Sequence, residues 1–287
     1  MYFWSFDETA ERLSKSKAAA DKALALQPDL PDAHVALAYY YYRGQKDFDR
    51  ALQILEVIRR ARPNFANTII GRVQRRQGKW QESLNTLDEA FKLDPRSAES
   101  AWDLAFTYTL LPDYNKAEAL YQEALSLSPD FAMAKFDRRQ NVLSWTGDID
   151  EAGSIIESYP EWPEKHFWTI QMYILEKRSY WLQNKQLLSR TYADTLRMIL
   201  KHDISKRRGV ARLHSALGLA YAFLARTEEA IKEGRRALEL MPVSKDALDG
   251  PLYVQRLARI YAILGEYDPA IEKLEYLLSI PSPLSVT

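Results

Sequence analysis

The sequence contains no cysteine, which excludes disulfide bonds, thiolate nucleophiles and cysteine-based metal sites, and leaves the redox compartment undetermined. Excess charge is also absent: 39 lysines plus arginines balance 39 aspartates plus glutamates. With zero formal net charge there is no bulk field to attract nucleic acid or an anionic membrane. We therefore expect no nucleic-acid binding by the chain itself.

Long apolar runs are missing too. No stretch approaches the roughly 20 apolar residues of a membrane span, and the first residues, MYFWSFDETAERL, lack a basic region followed by an apolar one. We expect no membrane segment within the chain, which favours the cytoplasm. An extracytoplasmic location stays open if the chain is part of a larger, membrane-anchored protein.

Groups that carry chemistry are few and scattered. The four histidines are His34, His166, His202 and His214, and no two have the short spacing of metal ligands on one helical face. The ten glycines form no phosphate-binding cluster. Acidic pairs such as Glu228 and Glu229 begin helices, where carboxylates complement the helix dipole. The sequence thus predicts no metal, no cofactor and no enzymatic activity.

What the chain does contain is a repeat of about 34 residues. Hydrophobic residues make up 47% and charged residues 27%, as in a folded protein rather than a disordered one. Pro28, Pro63, Pro95 and Pro129 follow one another at spacings of 35, 32 and 34, and each is predicted to end a helix. A regular spacing of this length indicates a repeat protein.

Small residues give a second, independent marker of the same period. Ala51, Ser83, Ala117 and Ala152 are spaced by 32, 34 and 35 residues, and the marker returns at Ala230 and Ala270. Small side chains there permit close contact between helices. The 78 residues between Ala152 and Ala230 hold about two periods, so one further hairpin is expected between them.

Apolar residues inside each unit follow helical spacing, as in Ala101, Leu104, Ala105 and Tyr108. Turn signals such as RGQKD, RQGKW and LGEYD separate two such helices, while no alternating strand pattern occurs. Each unit is therefore predicted to be a helical hairpin, and the fold class to be all-α.

These residues resemble the tetratricopeptide repeat. Residues 98 to 131 carry its pattern in Leu104, Ala105, Tyr108, Tyr114, Ala117, Tyr121, Ala124 and Pro129, and residues 64 to 97, 211 to 244 and 251 to 284 carry it in part. The resemblance implies an α-α superhelix of about six to seven hairpins with a concave, peptide-binding groove. Several phrases, such as LLSIPSPLSV, also resemble the repeats that accompany bacterial serine/threonine kinases, nucleotide cyclases or winged-helix regulators.

The expected organisation is one continuous solenoid in four parts. Residues 1–30 form a truncated or N-terminal hairpin, 31–157 form repeats, 158–210 form an irregular helical hairpin, and 211–287 form C-terminal repeats. The short segment before residue 8 and the end at PSPLSVT lead us to expect a fragment, or a chain with neighbours at both ends.

The resemblance also implies a binding site, because the first helix of each repeat lines the groove in that family. The groove positions that we predict to bind a peptide are Tyr39, Tyr42, Arg43, Phe65, Arg72, Arg75, Arg76, Trp102, Phe106, Asn141 and Trp145. Aromatic rings beside arginines suit an acidic and hydrophobic ligand. The alternative is that the tyrosines pack between hairpins and the arginines only solvate the surface.

The function favoured by these observations is a protein-interaction module, a regulatory or sensory part of a larger protein. A second hypothesis is a structural scaffold that self-associates into homo-oligomers through the ends of the solenoid. A third is a helical-repeat enzyme with a pocket in the irregular segment 158–210, for which no convergent catalytic groups are visible.

Overall fold

A computed structural model describes residues 10–146, 186–206 and 209–281. These residues form thirteen α-helices, and no strand occurs among them. The helices are α1 Ala10–Leu26, α2 Pro31–Tyr39, α3 Phe48–Arg59, α4 Pro63–Arg76, α5 Trp80–Leu93, α6 Ala98–Leu110, α7 Tyr114–Leu127, α8 Ala132–Thr146, α9 Gln186–Lys206, α10 Ala211–Phe223, α11 Thr227–Leu240, α12 Asp249–Leu264 and α13 Tyr267–Leu278. The all-α prediction is confirmed.

The chain divides into two compact units. Unit 1 comprises Met1–Tyr159 with Ser285–Thr287, and unit 2 comprises Pro160–Leu284. In unit 1 the hairpins α2–α3, α4–α5 and α6–α7 stack in chain order, with α1 against α2 and α8 against α7. In unit 2, α9 packs on the hairpin α10–α11, which packs on α12–α13. Each unit is thus a stack of helical hairpins, as in an α-α superhelix.

Small residues lie where the two helices of a hairpin meet, as the sequence predicted. Ala51, Ser83, Ala117 and Ala230 have no exposed surface. The Ser83 hydroxyl donates to the carbonyl of Gly71 in the facing helix at 2.7 Å, a contact that needs the two backbones close together. Larger residues at these positions would hold the helices apart.

Four of the five described hairpin turns share one backbone conformation. Gly78 and Gly265 have φ of 76° and 81°, and Lys46 and Ala225 take the same left-handed conformation at 56° and 58°. This conformation ends the first helix, and glycine adopts it without steric cost. The second helix then begins beside a polar cap such as Asp47, whose carboxylate accepts from the Arg50 amide at 3.2 Å.

Two local predictions differ from the structure. Pro63 does not end a helix: α3 ends at Arg59, and Pro63 is the first residue of α4, where its missing N–H costs nothing. The RGQKD segment is not wholly a turn, because α2 continues as a π-helical segment over Tyr40–Gln45.

The predicted boundaries at residues 30, 157 and 210 remain predictions. Of the irregular hairpin at 158–210, the residues described are those of α9 and 209–210. Ala152 lies outside the described residues, and the described part of the stretch where the extra hairpin is expected, between Ala152 and Ala230, begins at α9.

Candidate functional site

The first helices of unit 1 are joined side by side through bonds between residues about one repeat apart. Arg76 Nε donates to the Tyr42 hydroxyl at 3.1 Å, and Trp102 Nε1 donates to the Asp137 carboxylate at 2.8 Å. These bonds connect α4 to the π-helical segment after α2, and α6 to α8. We call the shared face of the first helices α2, α4, α6 and α8 the first-helix surface of unit 1. Tyr42, Arg76, Trp102 and Asp137 belong to it.

Asp103 lies at the centre of the first helices of unit 1. Its carboxylate is buried and is bonded to two arginines of α4. It accepts from Arg72 Nε at 2.7 Å and from Arg75 Nη2 at 3.2 Å, and its side chain has no exposed surface. Arg72 also donates to Glu99 at 2.6 Å, and Arg75 donates to Thr107 at 2.8 Å. The charge of both guanidinium groups is therefore compensated inside unit 1.

The paired arginines lie against aromatic rings of α6. The guanidinium carbon of Arg72 lies 5.5 Å from the Trp102 ring centroid, and that of Arg75 lies 4.8 Å from the Phe106 centroid. The two rings stack on each other with centroids 6.2 Å apart and an interplanar angle of 17°. Both rings are half-buried, so one part of each is held by the protein and another faces solvent.

At the α2 end of this surface, arginine side chains lie against the ring of Tyr42. The Tyr42 side chain is buried, and Arg43 lies with its guanidinium carbon 4.7 Å from the ring centroid. Burial alone would raise the pKa of Tyr42, but Arg43, Arg76, Arg75 and Arg72 outweigh it and leave the pKa below its ordinary value. Arg43 and Arg76 are the two arginines whose guanidinium groups lie against this ring.

The remaining predicted binding residues lie in different environments. Tyr39 is half-buried on α2, and burial raises its pKa. Phe65 is 38% exposed in the first turn of α4. Asn141 is buried on α8, where its amide accepts from the Thr109 hydroxyl at 3.1 Å. Trp145 is part of α8, and its side chain lies outside the described residues.

Arg72, Arg75 and Arg76 are buried, with 9%, 3% and 6% of their surface exposed. Their sequence positions predict groove-lining cations, whereas the structure places them against aromatic rings and bonded to neighbouring repeats. Substitution of these arginines would disturb the packing between repeats, so a change in peptide affinity would not by itself show a direct contact with the peptide. Their part in peptide binding stays a prediction.

Asp103 was not among the predicted site residues, although the sequence holds a signal for it. It is a lone acid within the apolar stretch AWDLAF, 31 and 28 residues after Arg72 and Arg75. An acid in an apolar helix face needs a buried partner, and the preceding first helix supplies arginines at nearly one repeat length. Asp137 is a second such acid: burial raises its pKa to about 7, against the opposing effects of Trp102 and Arg75.

Two of the described histidines, His34 and His214, make local contacts. A ring nitrogen of His34 lies 2.8 Å from the carbonyl oxygen of Pro28, and one of His214 lies 2.6 Å from the Glu233 carboxylate. Among the described residues, no group of three or more histidines, aspartates or glutamates is arranged to hold a metal ion. Nor is any helix described here long and apolar enough to cross a membrane.

Stacked two-helix hairpins, small residues at the hairpin contacts and a shared polar face define an all-α repeat protein. Comparison with known families gives these repeats a name. Residues 9–64 and 70–132 match the tetratricopeptide repeat, and this part of the chain therefore carries tetratricopeptide repeats. Repeats of this family generally mediate protein–protein interaction and act as scaffolds rather than enzymes.

One solved structure supports the fold of this chain. The crystal structure of the APC/C hetero-tetramer Cut9–Hcn1 matches 97% of this chain with 16% identity and a TM-score of 0.61, and the match spans 52% of that chain. A tetratricopeptide repeat protein from Parabacteroides merdae ATCC 43184 matches 87% of this chain and 93% of its own, at 19% identity and a TM-score of 0.45. The chain spans about half the length of the Cut9–Hcn1 chain that it matches. The comparison with curated proteins gives no match.

Proposed function

We propose that this chain is a protein-interaction module that binds a segment of a partner protein on the first-helix surface of unit 1. The observation that supports this most is the pair of half-buried rings on α6, Trp102 and Phe106, which lie against the charge-paired arginines of α4. Tyr39 is a further half-buried ring, on α2. Rigid aromatic groups contribute binding energy at little entropic cost, because few of their torsions remain to be fixed. Binding of this kind does not require the surface to catalyse a reaction.

The same contacts suggest the chemistry of the ligand. Asp103 and Glu99 compensate Arg72 and Arg75, so the middle of the surface offers rings rather than free cations. At the α2 end, the guanidinium group of Arg43 lies against the Tyr42 ring. We therefore propose a ligand with apolar or aromatic side chains over Trp102 and Phe106 and an acidic group toward Arg43.

A regulatory or sensory role within a larger protein would use this binding to bring a partner to an attached domain. This part of the proposal depends on the resemblance to repeats that accompany kinases, cyclases and regulators. A cytoplasmic location belongs to the same proposal. Identifying the neighbouring domains in the gene would test both.

The binding proposal can be tested with two fluorescein-labelled ten-residue peptides that share alternating phenylalanines and differ in having glutamate or lysine between them. Fluorescence anisotropy with the full chain should show saturable binding that is tighter for the glutamate peptide. Phe106→Ala and Tyr39→Ala should each weaken it by about tenfold, since a buried aromatic contact is worth at least 1 kcal/mol.

Leu93→Ala is the matched control, because Leu93 is 51% exposed on a second helix, α5, of the same unit. Its affinity should stay at the wild-type value. Circular dichroism confirms that each variant is folded. Absence of saturable binding, or equal losses in Leu93→Ala and Phe106→Ala, would contradict the proposed site.

A further inference from the structure

The last helix, α13, has an exposed apolar face. Tyr267, Ile271, Leu274 and Leu278 follow one another at i, i+4, i+7 and i+11, which places them on one side of a helix. Tyr267, Ile271 and Leu278 are 67%, 52% and 53% exposed, and Leu274 is half-buried. We call these four residues the α13 stripe.

The equivalent face of the preceding second helix, α11, is covered. Ile231 and Leu238 lie 40 residues before Ile271 and Leu278, and both pack against Leu257 and Tyr261 of α12. Between them, a Cβ added to Gly234 would come within 2.8 Å of Leu257 Cδ1. The helix α12 therefore occupies on α11 the face that the α13 stripe leaves exposed.

Unit 1 shows the same relation. Leu274 lies four residues after the small residue Ala270, and the residues at this position in α3, α5 and α7 are Leu55, Leu87 and Tyr121. All three have no exposed surface, and each of their helices is followed by a packed first helix. Leu55, for example, lies in one core cluster with Ala66 and Ile69 of α4. The position is fully buried in these three helices of unit 1, whereas Leu274 is not.

We propose that the α13 stripe binds one amphipathic α-helix of a partner protein, packed as α12 packs on α11. The continuity with the α11–α12 interface specifies the face of that helix. On α12 it consists of Val254, Leu257, Ala258 and Tyr261, two large apolar residues beside a small one and an aromatic. A partner helix with this spacing fits the ridge formed by residues four apart on α13.

Charge at the edge of the stripe favours a partner over a second copy of the chain. Asp268, Glu272 and Glu275 are exposed along one side of α13, and Lys273 is bonded to Glu272. Two α13 helices facing each other would bring like charges together. A helix with basic residues at its edge would instead complement them.

A peptide with the sequence of residues 249–264 is a direct probe, since it carries the apolar face of α12. Labelled with fluorescein and titrated with the full chain, it should bind saturably. Hydrogen exchange measured by mass spectrometry should become slower in residues 267–278. The double variant Ile271→Glu/Leu278→Glu should weaken binding by at least about tenfold, because it removes two apolar contacts and adds charge.

Tyr276→Glu is the matched control, because Tyr276 is 43% exposed on the opposite side of α13. It should keep the wild-type affinity, as should Phe106→Ala on the first-helix surface, which makes this inference independent of the proposed function. The inference is overturned if no saturable binding is found, or if protection appears elsewhere than in α13. It is also overturned if light scattering shows a dimer that Ile271→Glu/Leu278→Glu abolishes, which would make a second copy the occupant.

Discussion

The buried carboxylate of Asp103 gives the most direct test of how unit 1 is held together. Asp103→Asn keeps the shape of the side chain and removes its charge. Arg72 retains its bond to Glu99 at 2.6 Å, but the Glu99 side chain is 56% exposed and that bond is weakened by solvent. Arg75 loses the charged partner it has at 3.2 Å, and its own side chain is only 4% exposed. The variant therefore leaves a buried cation without compensation.

The expected loss of stability follows from that burial. Removing one partner of a buried ion pair costs about 3–5 kcal/mol, whereas an exposed pair is worth about 0–1 kcal/mol. We expect about 3 kcal/mol for Asp103→Asn, because Glu99 still compensates part of the charge, and at most about 1 kcal/mol for the matched control Glu99→Gln. Replacing both partners, in Asp103→Asn/Arg75→Met, should restore most of the loss, since no unpaired cation then remains.

Urea unfolding followed by hydrogen exchange measures these values locally, in peptides of α4 and α6. A local readout is needed because repeat proteins unfold in parts, each repeat depending on its neighbours. The reasoning would be refuted if Asp103→Asn cost no more than Glu99→Gln. It would also be refuted if the double variant were as unstable as the sum of its two single variants.

Three further predictions concern the backbone, the core and pH. Gly265→Ala should lower the free energy of unfolding in urea by about 1–2 kcal/mol, because the φ of 81° strains any residue with a Cβ, even though no atom lies within 4 Å of the added Cβ. Ala225→Gly should raise the free energy of unfolding by up to about 1 kcal/mol, because it relieves the same strain. Asn67→Leu should raise the free energy of unfolding, measured by thermal unfolding, by about 1–3 kcal/mol, because Asn67 is buried with neither amide atom hydrogen-bonded. Asp137 has a folded pKa of about 7, above its unfolded value of 3.8, so the folded state holds a proton that the unfolded state releases. Its contribution to stability should fall by about 1.4 kcal/mol per pH unit between these values, and Asp137→Asn should remove that slope in unfolding measured from pH 5 to pH 8.

Much of the fold could be predicted from local sequence features. The spacing of Ala51, Ser83 and Ala117 marks hairpin contacts because only a small side chain lets two helices approach so closely, and each of these residues is buried. Pro63 could not be assigned in the same way. A proline outside a helix ends one helix or begins the next, and the distinction depends on where the preceding helix stops.

The candidate site was less predictable, since its chemistry depends on contacts between repeats. The helical pattern placed Arg72 and Arg75 on one face of α4, but it could not show that this face meets α6 with Asp103 opposite. Whether a cation in a repeat faces solvent or a carboxylate depends on the register of neighbouring hairpins. Local periodicity does not contain that information.

The polar contacts between the first helices of unit 1 explain how one surface can be both rigid and accessible to a partner. Apolar contacts alone would tolerate small shifts between hairpins, because the hydrophobic effect has no direction. The bonds from Asp103 to Arg72 and Arg75 do not tolerate them, since any shift that breaks the bonds leaves charges buried and unpaired. The register of α4 against α6 is therefore fixed by charge, and the same arginines hold the rings of Trp102 and Phe106 from beneath. A partner that binds these rings would meet a surface already ordered, so little of its binding energy would be spent on ordering it.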